Sequence, residues 1–531
     1  MSARVRGLLA WSMLFLVALL PRLVVIAQYE QRHPQAERLA IDEGSYDRWA
    51  RELAAGDWLG DEVFFQEPLY PYALGAVYAL GGERGAARRV QAVLGALTCL
   101  GIALLARRLF GAGAGWVAGV AFALERAAIA YPAYLLKPAL VLPVPTLLAL
   151  AFERAGSVAR RPGSSATRAH FALGLAAGLG ALLRGNVLLL VPVLAVWPLA
   201  RAFAVGLDRR VALRSALAVA AGAALVLLPV AARNAWVGGE FALTTSGAGT
   251  NVYGGNNADN PYGTPKEFDW VRGIPEYEAG DWRREAERRA GRELGPGGTS
   301  SFWLRETWRS LVADPGLHAR ILWRKLRATL GAYEVPDNHD LEWDARFVPA
   351  LALPWLGFGV VGAAILAGLA LVVGRRRGDT ALELGVLFAL YVATIVLTVT
   401  SARARLALLP LGLPFAGYVA ARTVAVLGAR SARGLAACAA ALGLGALVSG
   451  SATAAPTTIC ASASRRAPAC GSWRRRSAGG AAASCWVRRR RLGSRRGARS
   501  SAARSPRWGS WTMRAACRRA SAIACAASPA G

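Results

Sequence analysis

Eleven apolar runs punctuate the chain, at about 7–27, 89–106, 112–130, 134–152, 171–184, 187–200, 213–232, 350–373, 381–400, 406–424 and 434–450. Several reach the roughly 18 residues that a helix needs to cross a bilayer. The runs 171–184 and 187–200 are short and separated at Arg184-Gly185-Asn186, so the pattern reads as one bent span or two. The polar connections alternate in charge, which decides between these. Segments 1–6, 107–111, 153–170, 201–212, 374–380 and 425–433 carry sixteen arginines against only Glu153, Asp208 and Asp379. The connection 28–88 holds eleven acids against six arginines. Arginine-rich loops mark the cytoplasmic side, and the alternation closes only with two separate crossings. The prediction is an all-α polytopic membrane protein of about eleven transmembrane helices, with the N-terminus cytoplasmic.

Two of the connections on the opposite side, 28–88 and 233–349, are long enough to fold. In the second, Phe241, Leu243 and Thr245 alternate before clusters of Gly and Asn, which predicts a short strand and tight turns. Residues 281–293 and 299–330 read as amphipathic or surface helices. The basic, apolar N-terminus lacks a small-x-small cleavage site, so it reads as a retained first span rather than a signal peptide.

Composition agrees with a membrane protein: 54% of residues are hydrophobic, and the mean hydropathy is +0.33. A net charge of +30 would suggest nucleic acid, but only three of the 63 basic residues are lysine, an Arg, Ala and Gly bias that also fits a GC-rich genome. Nucleic acid is therefore not expected as a partner. The seven cysteines show neither a disulfide framework nor metal-ligand spacing. Residues 451–531 are of different material: seventeen arginines, four tryptophans and no Asp, Glu, Lys, Asn, Gln, Phe or Tyr. Natural disordered segments rarely look like this. The favoured reading is a frameshifted segment, the alternative a disordered basic tail. The functional domain is thus read as 1–450.

Candidate chemistry gathers in the acidic loop. Asp42 and Glu43 are adjacent, some fifteen residues beyond the first span, with Tyr46 and Trp49 following at helical spacing. A partly desolvated carboxylate there can act as general base on a hydroxyl or amine. Arg403 and Arg405 lie between two late spans, on the side opposite the arginine-rich short loops and so against the positive-inside trend. A bound phosphate accounts for them, because guanidinium groups clamp phosphate bidentately. Lys137 is a third cationic candidate, and Arg184 and Arg233 fall at the same membrane face. Glu67 and Tyr70 in QEPLYPY, and Asn256 with its neighbouring asparagines, suit hydroxyl recognition. No P-loop, dinucleotide fingerprint, HExxH or Ser-His-Asp arrangement is present, and the four histidines are scattered.

These residues resemble a family. LAIDEGSYDRWARELAAGDWLG, FFQEPLYPYALGAVYALGG, LLRGNVLLLVPVLAVW and SARARLALLP are similar to segments of bacterial GT-C membrane glycosyltransferases of the protein mannosyltransferase and aminoarabinose transferase superfamily. The likeness covers about residues 8–425. It implies transfer of a sugar from a polyprenyl-phosphate donor to a glycan, lipid or protein acceptor at the extracytoplasmic face of the plasma (inner) membrane, with inversion. It implies Asp42, with Glu43 beside it, as the catalytic acidic site, and Arg403 and Arg405 as the late Arg-x-Arg motif; Lys137 joins these arginines on the donor phosphate. Tyr46, Glu67, Tyr70 and Asn256 would face substrate. The family usually has Tyr between the arginines, where Ala404 stands here, and Pro shortly after, where Ala407 stands. No cofactor is required, and a divalent cation is possible. A lipid-linked sugar transporter or flippase and a polysaccharide polymerase or ligase are the competing readings.

Overall fold

The computed structural model describes residues 2–158, 164–266, 268–376 and 378–450. Arg160, Arg161, Arg377 and the tail 451–531 lie outside the described residues. The chain divides into two units, Met1–Ser464 and Arg465–Gly531, and the account below concerns the first.

Among the described residues the structure is helical, with a single isolated bridge, Glu125 to Leu356, and no strand. Among the described residues, nine helices are long and apolar enough to cross a membrane, from Arg4–Arg32 to Ala432–Gly450. Two shorter apolar helices, Ala112–Ala123 and Phe358–Val372, occupy the other two expected positions. The 12 residues of Ala112–Ala123 reach about 18 Å, less than the ~30 Å hydrocarbon core.

The abundance of Ala and Gly has a packing role here. A Cβ on Gly174 would lie 2.1 Å from the Val219 carbonyl oxygen, and one on Gly222 would lie 2.2 Å from that of Phe171. Ser164–Leu183 and Arg209–Gly238 therefore meet backbone to backbone. Such contact is how helices associate where lipid removes the hydrophobic drive.

The loops sort to two ends. At one end Arg108 pairs with Glu153 at 3.1 Å, and Arg201 donates to the carbonyls of Gly156 and Gly378. At the other end the segments around residues 42, 67, 137, 184, 337 and 403 contact one another, as described below.

Several expected boundaries shift. The run 112–130 stops as a helix at Ala123, because the backbone of Leu124 and Arg126 bonds Leu356 instead. The next long helix starts at Pro138 rather than 134. The segments 171–184 and 187–200 form two helices, separated by extended Arg184 and a 3-10 turn, Gly185–Leu189. The expected surface helix at 281–293 runs Pro275–Ala290, and 299–330 forms two helices, Pro296–Ala313 and Pro315–Leu330. Asp314 caps the second through the Leu317 N–H at 2.8 Å.

The strand expected at Phe241–Thr245 does not form. No neighbouring strand supplies a ladder, and the Asn234 side-chain amide bonds the carbonyls of Ala242 and Thr244 instead.

Candidate active site

The acidic loop folds into the helix Ile41–Ala54, with Asp42 and Glu43 in its first turn. Carboxylates are favoured there by the unpaired N–H groups of a helix start. The preceding Ala40 offers no side-chain cap. Ile41 enters the helix with φ of +51°, a conformation that a β-branched residue adopts only under strain. Further along, Asp47 anchors the helix by accepting from Arg84 and from the Tyr78 hydroxyl, each at 2.7 Å.

Asp42 lies almost buried. Its Oδ2 accepts from Arg403 Nη1 at 2.5 Å and its Oδ1 from Gln66 Nε2 at 3.2 Å. Arg403 Nε also faces Asp337 Oδ2 at 3.0 Å, so one guanidinium bridges two carboxylates. Burial opposes charge on Asp42, but Arg403, Lys137 and Gln66 outweigh it and hold the carboxyl below its usual range. Burial likewise opposes charge on Arg403, and Asp337 and Asp42 together raise its pKa well above normal. The resting site therefore contains a tight ion pair where a base is expected.

Beside it, Lys137 pairs with Glu67. The other oxygen of Glu67 accepts the Gly185 N–H at 2.8 Å, and Arg184 Nη2 donates to the Arg403 carbonyl at 2.9 Å. The Lys137 ammonium lies 5.6 Å from the Tyr46 ring centroid. Tyr46 is fully buried. Its hydroxyl, together with Arg184 Nε and Asn338 Nδ2, is among the described buried polar atoms without a hydrogen-bond partner. Each orphaned donor costs about 1–3 kcal/mol.

The other expected residues sit elsewhere. Arg405, two positions from Arg403 in the short helix Ala402–Arg405, points away, as i and i+2 residues must. Its guanidinium bonds the Gly331 carbonyl at 2.7 Å, pairs with Glu334 at 2.6 Å and lies over the Phe358 ring. Glu43 also turns from its neighbour: Oε1 accepts the Leu135 N–H at 2.8 Å, and Oε2 faces His339 Nε2 at 3.3 Å. Tyr70 donates to Gln91. Asn256 binds the carbonyls of Val252 and Leu397 and accepts from Lys325. Among the described residues no group of three or more His, Cys, Asp or Glu is arranged to hold a metal ion.

Sequence reasoning missed Asp337, the second carboxylate on Arg403. It also missed Glu278, on the helix Pro275–Ala290, which packs on Ile41–Ala54 through the pair Arg48–Glu276. Burial, then the nearby charge of Asp42, pushes Glu278 up to about 7. The run DNHD at 337–340 was the visible signal for Asp337; nothing local distinguished Glu278 from its neighbouring acids.

Residues 66–236 match the family model described as dolichyl-phosphate-mannose-protein mannosyltransferase. The match runs from Gln66 in the first loop to Trp236 near the end of the helix Arg209–Gly238, and over that stretch the chain is similar to this family. Among solved structures, the chain is similar to the oligosaccharyltransferase AglB from Archaeoglobus fulgidus, in complex with an inhibitory peptide and a dolichol-phosphate. The identity is 15% and the TM-score 0.40, over 84% of this chain and 55% of that one. The apo form of that enzyme gives 16%, 0.41, and the same 84% and 55%. ArnT from Cupriavidus metallidurans, bound to undecaprenyl phosphate, gives 19% and 0.35, over 79% and 80%. This chain spans about half the length of the AglB chain. No curated protein matches.

Proposed function

We propose that the chain transfers a sugar from a polyprenyl-phosphate donor to an acceptor nucleophile, at the extracytoplasmic face of the plasma membrane and with inversion at the anomeric carbon. The observation that carries this reading is the Asp42–Arg403 pair, held where six separate segments meet beside three buried unpartnered donors.

In the resting site Arg403 makes Asp42 a poor base. A donor phosphate offers Arg403 a competing anion. As Arg403 turns to the phosphate, Asp42 loses its counter-charge, its pKa rises, and it can take the acceptor proton. Lys137 and Arg184 stand beside Arg403, where negative charge develops on the departing lipid phosphate. The phosphate leaves readily once so stabilised, so the chemistry needs no cofactor, and the acceptor attacks from the opposite face. Tyr46 and Glu67 line the approach. Arg405, held by Glu334 and Gly331, positions the Arg403 turn rather than touching the donor. Tyr70 and Asn256 brace the walls through Gln91 and Lys325.

The test is transfer from a synthetic polyprenyl-phosphate sugar by the purified chain in lipid, with product configuration read by NMR. Hydrolysis or transfer that requires Asp42 supports the reading. A protein that binds the donor and moves it between leaflets without cleaving it would refute it.

A further inference from the structure

Near the first-loop helix lies a chain of buried titratable groups that the mechanism above does not use. His33, Asp344, His339 and Glu43 are each 6% exposed or less. His33 Nε2 meets Asp344 Oδ1 at 3.1 Å. Asp344 Oδ2 meets both His339 Nδ1, at 3.1 Å, and the Tyr134 hydroxyl, at 2.6 Å. His339 Nε2 closes the chain on Glu43 at 3.3 Å.

The hydrogen bonds dictate the protons. His33 Nδ1 accepts the Gln35 N–H at 3.2 Å, which leaves Nε2 to donate to Asp344. Both nitrogens of His339 face carboxylate oxygens, and an ionised carboxylate only accepts. Both must therefore carry protons. Burial opposes charge on Asp344, but its three donors, His33, His339 and Tyr134, outweigh it and hold the carboxyl below its usual range; Glu43 takes the Leu135 N–H as well.

The surroundings agree. Tyr134 stacks on His339 at 3.7 Å and 8°, and Tyr29 stacks on His33 at 4.6 Å. Arg88 lies over Tyr29 but is paired with Glu30. Burial opposes the imidazolium, yet the two carboxylates push His339 up to about 9.

We propose that Glu43 is a positioning residue rather than a base, held ionised by a His339 imidazolium, and that this buried chain sets where Asp42 meets Arg403. It rests on the transferase reading above. Both Glu43 oxygens are engaged, so neither is left for an acceptor. The chain ties three segments together: the end of the first helix through His33, the first-loop helix through Glu43, and the 337–344 loop. That loop also carries Asp337, the second carboxylate on Arg403.

The test uses full-length protein in lipid nanodiscs, labelled with nitrogen-15 histidine. There are only four histidines, and His339→Gln identifies the signals of His339. Near pH 7 both His339 nitrogens should read as N–H, titrating together near 9. A bare ring nitrogen at pH 7 would overturn the proposal. Glu43→Gln should lower turnover about tenfold by misplacement, leave donor KM near normal and move the alkaline limb of the pH profile to lower pH. A fall as deep as that of Asp42→Asn, with His339 still doubly protonated, would make Glu43 catalytic and sink the idea. Should Asp42→Asn itself prove harmless, the transferase reading fails while the histidine spectra still decide this one.

Discussion

Asp42→Asn separates base from clamp. The amide keeps the carboxylate's shape and can still accept from Arg403, so an ion pair becomes a hydrogen bond from a charged donor to a neutral acceptor. That exchange is worth about 1–2 kcal/mol. Arg403 keeps Asp337 at 3.0 Å, so no buried charge is stranded, and the fold should survive. Two consequences run in opposite directions. Turnover loses its proton acceptor and should fall by roughly 10²–10⁴-fold, about 3–5 kcal/mol in the barrier. Arg403, freed from its stronger partner, should bind donor phosphate more tightly, by up to about tenfold, since 1.4 kcal/mol is one decade. The assay is transfer from a synthetic polyprenyl-phosphate sugar, with donor affinity measured separately by equilibrium binding. Near-normal turnover would refute the role of Asp42. Lost turnover with weakened donor binding would refute the idea that Asp42 and the donor phosphate compete for Arg403.

Arg403→Ala should weaken donor binding while the protein remains folded, with Arg403→Lys restoring only part of it, because the planar fork is gone. Arg405→Ala should instead lower the apparent melting temperature in detergent, since it strands Glu334 and the Gly331 carbonyl; equal effects at both positions would contradict their opposite facings. Ile41→Gly removes a positive-φ strain worth about 1–2 kcal/mol and should stabilise the protein or leave it unchanged; a clear loss on thermal unfolding would show that the strain is absent. His339 has its pKa raised from 6.5 to about 9. Its stabilisation is thus fully present below pH 6.5 and lost as pH rises through 9. The melting-temperature advantage of wild type over His339→Gln should therefore vanish by about pH 10. Reporter fusions at residues 60 and 290 should both read extracytoplasmic, and a cytoplasmic signal at either would remove the site from that face.

The sequence by itself determined the class of fold and pointed to the loop that carries the candidate site. Membrane insertion is decided by local hydropathy over some twenty residues, so the long apolar runs were legible, and arginine asymmetry separated the two spans flanking Arg184. Among the eleven acids of its loop, the pair Asp42-Glu43 stood out because it lies some fifteen residues beyond the first span, with Tyr46 and Trp49 following at helical spacing.

Partners were decided only by tertiary structure. Asp42 meets Arg403 across 361 positions, and His33 meets Asp344 across 311; no local period encodes such pairings. Adjacent carboxylates in one helical turn point some 100° apart. One therefore faces the arginine and the other a histidine, though in sequence they look alike. Arg403 and Arg405 diverge for the same reason, and four histidines that look scattered along the chain place two of their number on one buried aspartate. The strand expected at Phe241–Thr245 failed because alternation stabilises a strand only when another lies beside it, and here the asparagine side chain of a membrane helix took the carbonyls first.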